Sequence, residues 1–296
     1  VPVFLMISGA LLLGRKISLD KAIRKAIIAG IALFVWSFLY VIIRKILWND
    51  GDVIHDTVML LFKRGPSGHL WYGYLLVWIY LFSPILNSLY ESLSEKMRLY
   101  FVFLGLIVPS LLDAVINYFS LDGQILQNSF FIYIHLGYIS IMFLGRMIFE
   151  NRKRWSAVFG IMSIIVGFCI TVALTFGISK RMGASTHTFF DELEISNVLY
   201  AFGIMLLVCK LDWKGNDTII KRCIIKISEL AMGIYFAHVI VMWCMGNTIS
   251  FHGMIFNIDN SFPECLLFVC IIFIGTVIMI APLANIPYLK KLVKIS

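Results

Sequence analysis

Lysine and arginine fall on alternate sides of a series of long apolar runs, and this pairing of hydropathy with charge limits the chain to one kind of fold. The runs lie at about residues 1–14, 26–43, 70–90, 99–118, 129–145, 155–178, 195–209, 230–249 and 263–286. The gaps between them, taken in order, differ in charge. The first holds Arg15, Lys16, Lys21, Arg24 and Lys25, the third Lys96 and Arg98, and the fifth Arg146, Arg152, Lys153 and Arg154. The seventh holds Lys210, Lys214, Lys221, Arg222 and Lys226, and the tail Lys290, Lys291 and Lys294. The second has Arg44, Lys45, Lys63 and Arg64, offset by Asp50, Asp52 and Asp56; the sixth has Lys180 and Arg181 against Asp191, Glu192 and Glu194. The fourth and eighth have no Lys or Arg. The odd gaps and tail thus carry 19 basic residues and the even gaps 6. Membrane insertion retains Lys and Arg in the cytoplasm, so the odd gaps and the C-terminus are expected to face inward.

Composition excludes the other architectures. The chain is 60% hydrophobic and 14% charged, with a mean hydropathy of +0.90, against roughly 25% charged residues in a soluble domain. A bilayer core is crossed by about 20 apolar residues in a helix, and only helices or closed barrels satisfy their backbone polar groups in lipid. Barrel strands of about ten residues would alternate apolar with polar, and these runs do not. The expected fold is therefore an all-α polytopic transmembrane bundle with about nine spans, filling residues 1–296 as one domain. The net charge of +8 sits on inner connections and gives no reason to invoke nucleic acid; anionic lipid heads suit it better. Six cysteines show no paired metal spacing and read as free thiols among apolar side chains. Trp48, Trp71, Tyr72, Tyr118, Trp155, Trp213 and Tyr288 lie near run ends, as interfacial aromatics do.

Fourteen residues rise only about 21 Å, so the first run reads as part of a helix. The longest outer connection, about residues 46–69, contains Gly51, Gly65, Pro66 and Gly68 and is expected to be partly irregular. No soluble domain, linker or internal repeat is apparent.

Polar groups at membrane depth are costly and mark candidate sites. His238 lies inside the eighth run with Tyr235 three positions earlier on the same face. His135 shares a face with Tyr138, and Asp113 with Asn117. His69 opens the third run on the outer side, followed by Leu70, Trp71 and Tyr72. Glu229, behind Ser228, reads as a carboxylate opening the eighth run. Any of the histidines can equally be an interhelix hydrogen-bonding group. At the start of the second run Lys21 and Arg24 share a helical face, with Lys25 beside it; this cationic face suits a phosphorylated ligand or inner-leaflet lipid.

In order, these segments resemble the large family of integral-membrane acyltransferases of the acyltransferase 3 type. The segment Val1 to Leu13, with its Pro2, Phe4 and Ser8-Gly9, resembles the family's second helix, with Ser8 and Gly9 as support residues. Lys21-Ala22-Ile23-Arg24 resembles its basic pair at the head of the third. Gly68-His69-Leu70-Trp71-Tyr72 with Ser83-Pro84-Ile85-Leu86 is similar to its next span. Gly233-Ile234-Tyr235-Phe236-Ala237-His238 is similar to a late Gly-Ile-Tyr-Leu-x-His segment, Tyr235 supporting His238, and Ile286-Pro287-Tyr288-Leu289-Lys290 to its tail. The nearest branch is that of the glycan O-acetyltransferases. The resemblance implies a bacterial plasma-membrane enzyme moving an acyl group, acetyl above all, from cytoplasmic acyl-CoA to a hydroxyl of a cell-surface or lipid-linked glycan. No bound cofactor or metal is implied, and acyl-CoA is a co-substrate. Lys21, Arg24 and Lys25 would hold the donor; His69, Trp71 and Tyr72 would face the acceptor. The family's presumed base, a His about ten residues after an Arg on the first helix, has no match here. The expectation is therefore a complete protein of about ten spans whose base lies upstream, leaving His69 and His238 as weak catalytic candidates. Transport of a lipid-linked sugar or small solute, or a non-catalytic membrane role, are the competing readings; Pro84 and Pro109 would interrupt helices in a transporter, but no repeat accompanies them.

Overall fold

The computed structural model describes residues 1–48, 58, 67–119, 131–183, 188–211, 218–251 and 262–294. These residues form α-helices and short 3-10 turns and contain no strand. We number the helices α1 (Pro2–Leu12), α2 (Leu19–Trp48), α3 (Trp71–Ser92), α4 (Glu95–Phe119), α5 (Phe131–Asn151), α6 (Ala157–Met182), α7 (Ile195–Lys210), α8 (Ile219–Glu229), α9 (Ala231–Phe251), α10 (Phe262–Leu283) and α11 (Lys290–Val293). Among the described residues four segments are long and apolar enough to cross a membrane: Leu19–Trp48, Gly68–Ser92, Ala157–Arg181 and Leu266–Leu283. The bent pair Ile219–Glu229 and Ala231–Met245 makes five if taken as one span. An all-α membrane architecture therefore stands, whereas a total of nine spans rests on the sequence pattern. Asp113, Asn117, His135 and most of residues 46–69 and 250–262 lie outside the described side chains.

The chain divides into two compact units, Val1–Ser18 with Ser83–Trp213, and Leu19–Phe82 with Lys214–Ser296. In the first, glycine lets helices approach closely. A Cβ on Gly145 of α5 would overlap the backbone of Met6 in α1, and one on Gly9 would overlap that of Met142. Gly160 and Gly203 make the same kind of approach between α6 and α7. Small residues at such crossings replace the hydrophobic driving force that lipid removes. The α1 chain end turns through Gly14 at φ +68°, a left-handed conformation glycine adopts without a Cβ penalty. Arg146 of α5 then donates to the carbonyls of Ala10 at 3.1 Å and Gly14 at 3.5 Å, capping the negative end of α1. Glu150 accepts from Arg146 at 2.8 Å and from the Tyr90 hydroxyl at 2.8 Å, so this arginine, read from the sequence as connection charge, is structural. Helix α6 starts at Ser156, whose side chain accepts from Phe159 N–H, and ends at Gly183 in the left-handed region. In the connection to α7, burial pushes the Glu192 carboxyl up to about 7, with the adjacent Asp191 acting in the same direction.

Three readings from the sequence change in detail. Glu229 closes α8 and pairs with Lys294; it does not open the following helix, because Leu230 marks a break with a 74° bend. Pro84 lies within a continuous α3, and α4 likewise runs through position 109. Tyr72, expected at an interface, is buried at 3% exposure.

Candidate functional site

The second unit builds a polar cluster in an otherwise apolar interior. Its core comprises Ala32, Leu33, Trp36 and Tyr40 of α2, Leu70, Phe236, Ala237 and Ile240 of α9, and Ile280 of α10. Helix α3 reaches this core because Gly73 leaves room for Leu33 and Phe236. Trp36 stacks on Phe236 with ring centroids 6.1 Å apart. One turn further along α2 is Tyr40, fully buried.

Tyr40 organises the cluster. Its hydroxyl donates to the Phe236 carbonyl at 2.8 Å. Its oxygen is 3.2 Å from His69 Nε2. Since the tyrosine proton is committed to a carbonyl, Nε2 must carry the hydrogen of this second bond. In a neutral ring Nδ1 is then an acceptor, and the Ser67 hydroxyl donates to it at 2.9 Å. Ser67 makes this bond in place of a side-chain cap on the turn Gly68–Leu70. The Tyr235 hydroxyl donates to the His69 carbonyl. His238 Nδ1 lies 2.7 Å from the Tyr235 carbonyl, which can only accept, so Nδ1 is protonated and a neutral His238 presents its lone pair at Nε2. The two imidazoles stand edge to face, centroids 5.0 Å apart. Trp243 packs on Tyr40 at 5.2 Å and Tyr72 on Tyr235 at 5.4 Å.

The structure thus brings together His69, His238 and Tyr235 from the sequence reading. His69, expected at the outer surface, is half-buried with both ring nitrogens engaged. Trp71 is half-buried beside Tyr72. Sequence reasoning missed Tyr40, Ser67 and Trp243. Tyr40 carried one faint signal, a lone phenol in an apolar run.

The cationic face lies on the same helix, toward its other end. Lys21 and Arg24 are exposed. Lys25 is half-buried, its ammonium 5.7 Å from the Tyr80 ring centroid. Arg24 lines a cavity of about 290 Å³ together with Lys291, a residue the sequence reading left in the tail. In the first unit, Ser8 is half-buried and Gly9 sits against Met142. A larger cavity there, about 490 Å³, is lined by Phe, Val, Thr, Ser, Asn, Tyr and Gly residues of α6, α7 and the turn before α7, with no ionisable acid, base or imidazole.

Apolar helices around a cluster of imidazole and phenol groups define an all-α membrane protein with a polar interior site. The chain belongs to the acyltransferase family: the model described as an acyltransferase domain, of the acyltransferase 3 type, matches residues 1–283. Neither the curated proteins nor the solved structures provide a match.

Proposed function

We propose that this chain forms part of a membrane-bound O-acyltransferase that takes an acyl group, acetyl first among the candidates, from cytoplasmic acyl-CoA and passes it to a hydroxyl of a cell-surface or lipid-linked glycan. The setting is a bacterial plasma membrane with the C-terminus inside, in line with the charge bias of the connections. One observation carries the reading beyond its family: α2 holds a cationic face and the imidazole cluster at separate heights. Arg24 and Tyr40 are 16 positions apart on one helix, a rise of about 24 Å. A coenzyme A thioester needs such a separation. Its phosphates are anchored at one end, and its thioester lies at the far end of the pantetheine arm.

In this reading Arg24 and Lys21 hold phosphate, Arg as a fork and Lys as a point charge. The acceptor oxygen forms a bond to the acyl carbon, the carbon–sulfur bond breaks, and the hydroxyl proton ends on the thiol of coenzyme A. A positioned base speeds such a step by roughly 10²–10⁴-fold. Within the cluster, His238 Nε2 has no partner among the described residues and is the nitrogen able to take a proton; His69 positions its neighbours. Trp71, half-buried beside the buried Tyr72, offers a ring toward an acceptor.

The test uses the full protein in nanodiscs with labelled acetyl-CoA and a glycan acceptor. Replacing Lys21 and Arg24 together with Ala is expected to raise the donor KM at least about tenfold, as the loss of charge-assisted contacts to phosphate should, and to leave kcat nearly unchanged. An unchanged KM refutes the donor assignment.

A further inference from the structure

The C-terminal segment is held against α2, and the contacts that hold it bring a second cation to the groove that Arg24 lines. Trp36 Nε1 donates to the Leu292 carbonyl at 3.1 Å. Val293 is buried to 1% exposure, against Gly233 of α9. Lys294 is paired with Glu229. These anchors follow Lys291 directly in sequence, and Lys291 lies on the wall of the cavity that Asp20, Ile23, Arg24, Ile27 and Ile28 complete.

Two cations facing one groove of about 290 Å³ repel unless an anion lies between them. Asp20, one turn before Arg24 on the same face of α2, supplies one negative charge, leaving the groove net positive. Among the described residues neither Arg24 nor Lys291 makes a salt bridge. The remaining walls are isoleucine, which do not compete for an anion and which weaken local screening. A guanidinium beside an ammonium over apolar walls suits a phosphate better than a single carboxylate, since a phosphate offers several oxygens and more than one charge.

We infer that Lys291 and Arg24 together form a phosphate-binding groove, and that its ligand is the phosphomonoester of the acyl donor. The inference rests on the acyl-CoA reading given above, and adds to it a role for a segment beyond the family match, which ends at residue 283. A phosphate on a lipid headgroup has the same chemistry, so the test separates the two sources.

Binding of coenzyme A and of dephospho-coenzyme A is measured by calorimetry on the full protein in zwitterionic nanodiscs, then in nanodiscs containing phosphatidylglycerol. Lys291→Ala is expected to weaken coenzyme A binding about tenfold in both lipids, to change dephospho-coenzyme A binding little, and to be restored by Lys291→Arg. Lys290→Ala, at an exposed neighbour outside the groove lining, is expected to do nothing; a loss equal to that of Lys291→Ala overturns the inference, since general tail charge would then be responsible. A Lys291→Ala effect equal for both coenzymes, or one confined to retention of phosphatidylglycerol, overturns the donor assignment, the latter in favour of a headgroup. Unchanged coenzyme A affinity in Lys291→Ala with weakened affinity in Lys21→Ala/Arg24→Ala overturns the role of Lys291 alone. Unchanged affinity in both variants removes the donor dock as well.

Discussion

Tyr40 shows how one side chain sets the chemistry of its neighbours. By giving its proton to the Phe236 carbonyl, it obliges His69 to carry hydrogen on Nε2 and to accept from Ser67 on Nδ1. Tyr40→Phe removes the oxygen that serves both bonds, leaving a buried N–H and a weakened carbonyl. The expected cost is about 1–3 kcal/mol, read as a lowered unfolding midpoint in mixed micelles. If the cluster handles the transferred group, the same variant lowers kcat and spares the donor KM, the reverse of the Lys21 and Arg24 pattern. A Tyr40→Phe protein with unaltered midpoint would show that these bonds are not formed in the native state. The histidines were legible because ionisable groups stand out in apolar runs. Tyr40 and Ser67 were not, since their importance comes from contacts with residues distant in sequence or hidden in a turn. Lys291 was lost for the same reason: in the sequence it is one of several tail lysines, and only its position beside Arg24 distinguishes it.

At the scale of helices, hydropathy located most of the apolar segments but handled their edges poorly. Helix α2 begins at Leu19, so Lys21, Arg24 and Lys25, counted in the first connection, lie in its first turns, while Arg15 and Lys16 precede it. Helix α8 was read as part of a charged gap. In the structure it is an 11-residue helix with no buried residue, with Ile219, Ile220 and Ile224 exposed beside Lys221, Arg222 and Lys226. Its apolar and basic residues fall on different arcs, a pattern that periodicity at 3.6 residues reveals and a simple tally of charge conceals. Gly9 aside, nothing in the sequence told which glycines sit at close helix approaches. Gly145 and Gly177 look alike in an apolar run, yet a Cβ at Gly145 overlaps the Met6 backbone while one at Gly177 meets nothing within 4 Å. Gly145→Ala is therefore expected to cost about 2–3 kcal/mol by forcing α1 away from α5. Gly177→Ala should be neutral or stabilising by about 0.5–1 kcal/mol, the helix-propensity gain. Unfolding of the two variants side by side decides it; equal midpoints would mean that the α1–α5 approach is wider than described.

For the molecule as a whole, the distribution of charge carries the functional reading, because a cytoplasmic donor reaches the cationic end of α2 only if that end faces the cytoplasm. The imbalance in Lys and Arg arises at insertion, when cationic connections are retained on the inner side. It therefore reports orientation without any knowledge of the site. The site supplies an independent constraint, since Lys21 and Arg24 lie at the α2 end nearest Ser18, and Lys291 beside Arg24 ties the tail to that same end. Both lines call for one side for residue 18 and for the tail, and the charge pattern alone predicts the opposite side for the acidic connection before α7, where Phe190 is exposed. The expectation is tested in a background with the native cysteines replaced. Phe190→Cys should react with a membrane-impermeant maleimide applied to intact cells, whereas Ser18→Cys should react only after the membrane is opened. Labelling of Ser18→Cys from outside would set the cationic groove where no acyl-CoA is found; the groove would then need an extracellular phosphate, and the acyltransferase reading of this end of α2 would fail even with the fold intact.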